Sequence, residues 1–425
     1  MVYLSKFRPT DVRPELLVDR DDAAEWLEHS ISAYLADRDP EQGQGFCVLG
    51  SKGVGKSILT RAVLQKLKEV HAATTLFVEV DCRGALRQRK VLKQVVEQVH
   101  AELYKMNRYG SPGASRELLA SAAVLKTLAS FDQVERKTVH EHLTEFKAAA
   151  GADGKLLDFI ASEFQISLRR RKQEAIEGKV LLDDDNIREA LLLLLRDIRL
   201  AHEDLDIIVY LDNIDELDHD AYWSDEGRER VRAQTLGLMQ LWRAPVGLVL
   251  NMRTYYSSIL LREVSKRFEL LPLDDATLEQ ILARRLHSEQ RAVQEALGND
   301  LWNARRSELA GMASTPLSFL MWFEYLAERI KEPEERSMAE VLMGFARTHA
   351  ATVSQDVLRR IAGIFEGVEA AVPRERLLAA CGGNEALLSQ AIRSQIVLPL
   401  DFWQPNEFTL DPELHFLLAR TPDES

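Results

Sequence analysis

The chain has 425 residues, which is enough for two or three domains of ordinary size. Hydrophobic residues make up 46% and charged residues 28%, close to average globular usage, so disordered and fibrous classes are excluded. The formal net charge of -13 excludes a general binder of polyanions, and any nucleic-acid contact must come from a local basic patch. The 3 cysteines are scattered without CxxC spacing, which argues against a disulfide framework or a cysteine-ligated zinc site.

Neither a secretory signal nor a membrane span is expected from the sequence. Residues 1–15 lack the apolar segment of a signal peptide. The longest strongly apolar run, Ala190 to Leu195, is too short to cross a bilayer. We therefore expect a cytoplasmic protein without a membrane partner.

Strand and helix patterns alternate through the first part of the chain. A polar arm over 1–20 precedes a predicted helix, and short apolar strands are predicted at 46–49, 74–80, 206–211, 246–252 and 268–271. Their alternation with helices predicts a parallel sheet with helices on both faces. Because the gap between the second and third strands exceeds what a crossover needs, about 108–190 is predicted to be a helical insertion.

The remaining chain predicts two further units. Only helical patterns follow residue 272, which indicates an all-helical lid over 273–337. In 338–425, helices, a glycine turn and two short strands follow in winged-helix order. The expected division is therefore an arm over 1–20, a core over 21–272 with its insertion, the lid and a C-terminal winged-helix domain.

A glycine-rich segment, GSKGVGKS, fits the phosphate-loop pattern G-x-x-x-x-G-K-[ST] between a predicted strand and a predicted helix. Its glycines allow backbone N–H groups to surround phosphates, and the helix N-terminus adds partial positive charge. Lys56 is expected to reach the β- and γ-phosphates, and the Ser57 hydroxyl to ligate Mg²⁺. The predicted nucleotide-binding residues are Gly50, Ser51, Lys52, Gly53, Val54, Gly55, Lys56 and Ser57.

The segment DIIVYLDNIDEL supplies acidic groups to the same site. Asp212 stands at the carboxyl end of a predicted strand, where parallel sheets bind ligands, and is expected to hold the Mg²⁺ shell. Asp215 and Glu216 follow closely, and either could orient the attacking water as a general base. The residues alone do not choose between these two carboxylates.

Together these motifs resemble the AAA+/STAND division of P-loop ATPases, which has origin-recognition-like and NACHT-like members. The order Asp212-Asn213-Ile214-Asp215-Glu216 is similar to the extended acidic motif of NACHT-type proteins. AAA+ enzymes usually place a glutamate directly after the first aspartate, and this chain has Asn213 there. The departure favours Asp215 or Glu216 as the catalytic acid, or a slow switch.

The resemblance covers roughly 20–425 without the insertion and implies further roles. The strand VGLVLNMRT resembles the sensor-1 strand, so Asn251 or Arg253 would touch the γ-phosphate or the attacking water. Arg267 matches the place of an arginine finger acting on a neighbouring subunit, with Arg262 as the alternative. The position matching the sensor-2 arginine holds Leu317, so that sensor is missing or displaced.

The resemblance implies a P-loop ATPase that uses ATP and Mg²⁺ and works as an oligomeric switch. It would self-associate through the ATP site and recruit or activate an effector or adaptor protein, in a DNA transaction or in bacterial defence. The alternative, motivated by Asn213 and Leu317, is a nucleotide-holding scaffold with little or no turnover. Nucleic-acid binding is not favoured by charge, because the predicted recognition helix over 385–393 has one basic and one acidic residue.

Overall fold

The computed structural model describes most of the core and much of the C-terminal half. The described residues are 16–37, 42–85, 87–108, 116–130, 133–135, 179–181, 184–217, 225–259, 264, 266–286, 299–328, 338–349, 353–365, 371–401 and 405–418. Arg262 and the central part of the predicted insertion lie outside them.

The strands are β1 (Gln44–Gly50), β2 (Thr75–Asp81), β3 (Gln133–Glu135), β4 (Lys179–Leu181), β5 (Asp206–Asp212), β6 (Gly247–Met252), β7 (Lys266–Leu270), β8 (Val372–Pro373), β9 (Val397–Pro399) and β10 (Glu407–Leu410). The helices are α1 (Asp21–Ala36), α2 (Lys56–His71), α3 (Gln88–Arg108), α4 (Arg116–Ala129), α5 (Asp184–Ala201), α6 (Asp225–Met239), α7 (Asp275–Leu286), α8 (Asn299–Met312), α9 (Pro316–Glu328), α10 (Met338–His349), α11 (Gln355–Phe365), α12 (Arg374–Ala380) and α13 (Glu385–Arg393).

The central sheet has five parallel strands in the order β2-β5-β6-β1-β7. Side chains alternate between its faces as a strand requires. Phe46 and Val48 of β1 pack with α1 and α2, whereas Cys47 and Leu49 pack with helices α3 to α6 on the opposite face. The predicted α/β core with helices on both faces is therefore confirmed.

The strand order places a ligand crevice at one edge of this sheet. The connection that leaves β1 leads toward β2, and the one that leaves β6 leads to β7 on the other side. Since β1 and β6 are neighbours, their carboxyl ends form a switch point, where open parallel sheets bind ligands.

The predicted helical insertion is helical at both described ends, where α4 and α5 lie. Buried residues of both helices belong to the same apolar cluster as the sheet, including Leu125 and Leu191. Strands β3 and β4 also pair there as an antiparallel ribbon, which the sequence analysis did not predict. These strands are only three residues long, too short to show a period in the sequence.

The lid and the winged helix share one apolar core. Helices α7, α8 and α9 form the described part of the all-helical lid, and α11, β8, α12, α13, β9 and β10 follow in winged-helix order. The last three strands form an antiparallel sheet in the order β8-β10-β9. Buried residues from Leu278 in the lid to Phe416 near the C-terminus belong to a single cluster, so packing is continuous past residue 337. Among the helices described, none is long and apolar enough to span a membrane.

Candidate nucleotide site

The glycine-rich segment forms a tight loop between β1 and α2. Gly53 and Gly55 have φ angles of 77° and 107°, in the left-handed region that residues with a Cβ rarely adopt. A Cβ on Gly53 would also lie 2.5 Å from Cβ of Leu317, at the start of lid helix α9. The Leu317 N–H donates to the Gly53 carbonyl at 3.3 Å, so the lid contacts the loop directly.

Lys56 begins α2 and stands over this loop. Its Nζ donates to the carbonyl oxygens of Gly50 and Ser51, both at 2.9 Å. Burial lowers the pKa of this ammonium to about 8, and the nearby Asp215 acts in the opposite direction. A phosphate beside Nζ would raise this pKa again and keep the lysine charged. Contact with phosphates is the role predicted for Lys56.

Asp212 ends β5 and is almost fully buried beside the loop. Its Oδ1 accepts hydrogen bonds from the Ser57 hydroxyl at 2.8 Å and from Asn251 Nδ2 at 3.1 Å. Asn251 Nδ2 also donates to the Tyr210 hydroxyl at 2.6 Å, and its Oδ1 accepts from the Thr60 hydroxyl at 2.9 Å. The Asn251 side chain therefore holds Asp212 in place and does not line the cavity beside the loop.

The predicted metal ligands fit Mg²⁺. A hydroxyl and a carboxylate in contact provide hard oxygen donors, and Mg²⁺ in phosphate sites commonly takes one or two protein ligands together with phosphates and water. Within the described ranges, no group of three or more histidine, cysteine, aspartate or glutamate residues forms an all-protein metal cage. Ser57 and Asp212 would therefore share the ion with the nucleotide phosphates.

Arg253, just beyond β6, holds both remaining acidic candidates. Its Nε lies 3.0 Å from Asp215 Oδ2, its Nη2 donates to Glu216 Oε1, and its Nη1 donates to the Tyr255 hydroxyl at 2.7 Å. Burial raises the pKa of Asp215, and the guanidinium opposes this shift. Glu216 also lies 3.5 Å from Arg83 Nε, so two arginines surround it.

Lys56, Ser57, Asp215, Glu216 and Arg253 line one cavity of about 510 Å³, within the range of roughly 300–1,000 Å³ that is usual for small-molecule sites. Asp212 lies behind this wall and contacts it through Ser57. The cavity wall combines the loop, the acidic segment, the residues directly before α1, the lid and the winged helix. The wall includes Arg20, Lys52, Gly53, Val54, Gly55, Lys56, Ser57, Arg83, Asn213, Asp215, Glu216, Arg253, Arg285, Leu317 and Glu413.

No protein-family model and no curated protein matches this chain. Among solved structures, it is similar to the Aeropyrum pernix ORC2 protein, with 14% identity and a TM-score of 0.44, over 97% of this chain and 95% of that chain. It is also similar to the A. pernix ORC1 protein in complex with DNA, with 15% identity and a TM-score of 0.41, over 97% and 94% of the two chains. Domain III of the Thermotoga maritima replication initiation protein DnaA has 10% identity and a TM-score of 0.32, over 79% and 96%. The P-loop core is recognised from the strand order and glycine geometry of this chain itself.

The predicted arginine finger lies outside the cavity wall of its own chain. Arg267 is exposed on edge strand β7, outside the cavity wall of its own chain, and its Nε donates to the Val264 carbonyl at 3.3 Å. Arg262 lies outside the described residues. Leu317 lies in the wall where the resemblance implies a sensor-2 arginine, and the lid arginine in the wall is Arg285 of α7.

Sequence reasoning missed several wall residues. Arg20 donates from Nη2 to the Val54 carbonyl at 2.9 Å, and Arg83 follows the end of β2 beside Glu216. Both positions had a usable signal, because Arg20 precedes the first helix and Arg83 lies just past a strand that points into the crevice. Arg285 and Glu413 had none, since each lies far along the chain from the phosphate loop, Arg285 in the lid and Glu413 in the winged helix.

Proposed function

We propose that this chain binds ATP with Mg²⁺ in the cavity and hydrolyses it slowly, as an oligomeric switch of the AAA+/STAND kind. The observation that carries the proposal is the hydrogen bond between Ser57 and Asp212, which joins the phosphate loop to the acidic strand end. Lys56 supplies the cation, Ser57 and Asp212 supply the metal ligands, and the glycine loop surrounds the phosphates. These are parts that phosphoryl transfer requires.

Glu216 is the residue we assign to the attacking water. The Asp215 side chain is only 3% exposed and faces Arg253. Moving it would separate two buried charges that stabilise each other. Glu216 is 17% exposed, has a longer side chain and lines the same cavity. When a γ-phosphate binds the Arg253 guanidinium in its place, the Glu216 carboxylate is released. It can then accept a proton from the attacking water.

The lid and a neighbouring copy of the chain would each add an arginine to the site. Arg285 supplies the lid cation that Leu317 cannot, because it lies in the cavity wall. Arg267 is exposed on an edge strand, a position from which it can reach the nucleotide of a second copy. Self-association through the ATP site would then control hydrolysis, and the winged helix would dock an effector or adaptor protein.

The winged helix is better suited to protein than to DNA. Helix α13 carries one acidic residue, Glu385, and one basic residue, Arg393, and Glu385 pairs with Arg374 at 2.6 Å. The net charge of these three side chains is only +1, which is little for contacts with a phosphate backbone. The setting we propose, a DNA transaction or bacterial defence, therefore depends on a partner protein.

A scaffold that holds ATP without turnover is the second candidate, and Asn213 favours it. This residue occupies the place of the usual AAA+ glutamate, has a left-handed φ of 53°, and its Nδ2 donates to Asp81 Oδ1 at 3.0 Å. An amide held in this way cannot act as a base.

ATP turnover with and without duplex DNA tests these proposals, with Lys56→Ala and Glu216→Gln as variants. We expect slow turnover that Lys56→Ala abolishes, and that Glu216→Gln lowers by about 100-fold while ATP binding persists. Turnover that is absent in the wild type, with ATP still bound, would favour the scaffold. Stimulation by DNA would place the protein in a DNA transaction, and indifference to DNA would favour the defence setting.

A further inference from the structure

An arginine on helix α2 faces Asp212, the carboxylate that we expect to hold the metal ion. Arg61 Nη2 lies 3.6 Å from Asp212 Oδ2, and Arg61 Nε donates to Glu79 Oε1 of β2 at 2.6 Å. Arg61 does not line the cavity. Its effect on the nucleotide site therefore passes through Asp212, which lies between the arginine and the Ser57 hydroxyl in this chain of contacts.

Arg61 acts on Asp212 by its charge and does not set the direction of the carboxylate. Three hydrogen bonds already hold Asp212 Oδ1, from the Ser57 hydroxyl at 2.8 Å, Asn251 Nδ2 at 3.1 Å and the Asn213 N–H at 3.1 Å. The distance of 3.6 Å to Arg61 is longer than a hydrogen bond. Because the Asp212 side chain is only 2% exposed, a neighbouring positive charge still acts on it strongly.

The guanidinium is held in this place by two other elements. Glu79 of β2 accepts its Nε–H, and Gln98 of α3 in turn fixes the Glu79 backbone. Gln98 Oε1 accepts from the Glu79 N–H at 2.8 Å, and its Nε2 donates to the Glu79 carbonyl. Since the Arg61 and Glu79 side chains are 27% and 34% exposed, water screens part of their charge. The position of Arg61 is therefore fixed by α2, β2 and α3 together.

The other acids of the segment after β5 face arginines as well. Arg253 contacts both Asp215 and Glu216, and Arg83 Nε lies 3.5 Å from Glu216 Oε2. With Arg61 beside Asp212, each of the three carboxylates has a guanidinium next to it. The affinity of a site for a divalent cation depends on the negative charge of its ligands, and these pairs leave little of it. The phosphates of a nucleotide would supply the missing charge.

We propose that Arg61, through its charge on Asp212, prevents the nucleotide-free site from capturing a divalent cation, so that the ion binds together with the nucleotide. This role rests on the proposed nucleotide and Mg²⁺ site. Without Arg61, the charge of Asp212 would be available to an ion that approaches Ser57. With Arg61, the ion and the guanidinium would share one carboxylate and repel each other.

The test is titration of the nucleotide-free full chain with Mn²⁺, which prefers the same oxygen ligands as Mg²⁺ and whose unbound fraction is measured by electron paramagnetic resonance. In Arg61→Gln, we expect Mn²⁺ affinity to rise by about tenfold, the effect of removing one positive charge from beside a divalent ion when water screens both. Arg61→Lys keeps the charge and should stay within about twofold of the wild type.

Two controls separate this effect from a change in net charge or in structure. Lys66→Gln removes a positive charge from the same helix, where Lys66 pairs with Glu28 at 2.7 Å away from the cavity wall, and should bind Mn²⁺ as the wild type does. Asp212→Asn, added to Arg61→Gln, should abolish the gain. A gain that persists in this double variant would place the extra ion elsewhere and overturn the inference. A damaged fold would weaken ion binding, which is the opposite sign.

A second variant gives a result if Arg61→Gln does not fold. Glu79→Gln leaves the Arg61 charge uncompensated beside Asp212, so Mn²⁺ affinity measured with ADP present should fall by about threefold. Equal or lower Mn²⁺ affinity in Arg61→Gln, or unchanged affinity in Glu79→Gln, with ADP still bound by the wild type, would overturn the inference and leave the proposed function standing. Failure of the wild type to bind ADP, with or without Mn²⁺, would overturn the proposed function and the inference with it.

Discussion

The low pKa of Lys56 predicts that nucleotide binding takes up a proton in mildly alkaline solution. Burial places this pKa at about 8 in the nucleotide-free chain. Phosphates beside the ammonium favour its charged form, so the pKa rises again in the complex. Above pH 8 the free protein has lost the proton that the complex retains, and affinity must therefore fall as the pH rises.

The size of the effect follows from the titration curve. With a pKa of about 8, Lys56 is about 0.1 neutral at pH 7 and about 0.9 neutral at pH 9. Proton uptake on binding should therefore rise from about 0.1 proton per nucleotide at pH 7 to about 0.9 at pH 9. Nucleotide affinity should fall by about tenfold, or ~1.4 kcal/mol, over the same interval.

Calorimetric titration of ADP in two buffers with different ionisation enthalpies measures the uptake directly. Lys56→Arg is the matched control, because a guanidinium stays charged at both pH values and its remaining binding should show no rise in uptake. Uptake near zero at pH 9, with ADP still bound by the wild type, would refute the reasoning that Lys56 contacts the phosphates from a buried position.

Two further substitutions test the walls of the site. Gly53→Ala and Gly84→Ala both place a Cβ at positive φ, at 77° and 63°, but only the first meets the lid, at Leu317 Cβ. We expect nucleotide binding to be lost in Gly53→Ala and kept in Gly84→Ala, and equal losses in a binding titration would contradict the proposed contact. Arg253→Met should leave Asp215 buried without its nearest cation and cost about 3 kcal/mol of stability, whereas Arg253→Lys should cost less. Thermal unfolding of the three proteins measures this order, and a similar midpoint for both variants would show that the pair contributes little.

The sequence was sufficient where chemistry and local pattern coincide. The backbone angles at Gly53 and Gly55 favour glycine, and the phosphate-loop pattern itself specifies Gly55 next to Lys56. The alternation of strands and helices likewise predicted the parallel sheet, because each strand is a compact apolar run. The short strands of the β3–β4 ribbon were missed because they have no such run.

Asn251 and Arg253 show why other roles could not be read from the sequence. They are two residues apart, so strand alternation would place both on one face, and the sequence analysis left them as alternatives. The structure separates them because β6 ends at Met252, which keeps Asn251 in the sheet against Asp212 and places Arg253 beyond it in the cavity wall. The end of a strand, to within one residue, decides which of the two side chains lies in the cavity wall, and sequence patterns locate such ends poorly.

The contacts around the loop also suggest how a nucleotide could alter the winged helix. An apolar contact between the two units would not respond to phosphate, but Lys52 contacts Glu413 through charge, and phosphate is a stronger competitor for an ammonium than a neutral ligand would be. The Gly53 contact with Leu317 is different, since it joins backbone to backbone and does not depend on charge. A polyphosphate can therefore weaken the charged link to the winged helix without acting on the Gly53 contact. Because the lid and the winged helix share one apolar core, any movement that follows should carry the two units together.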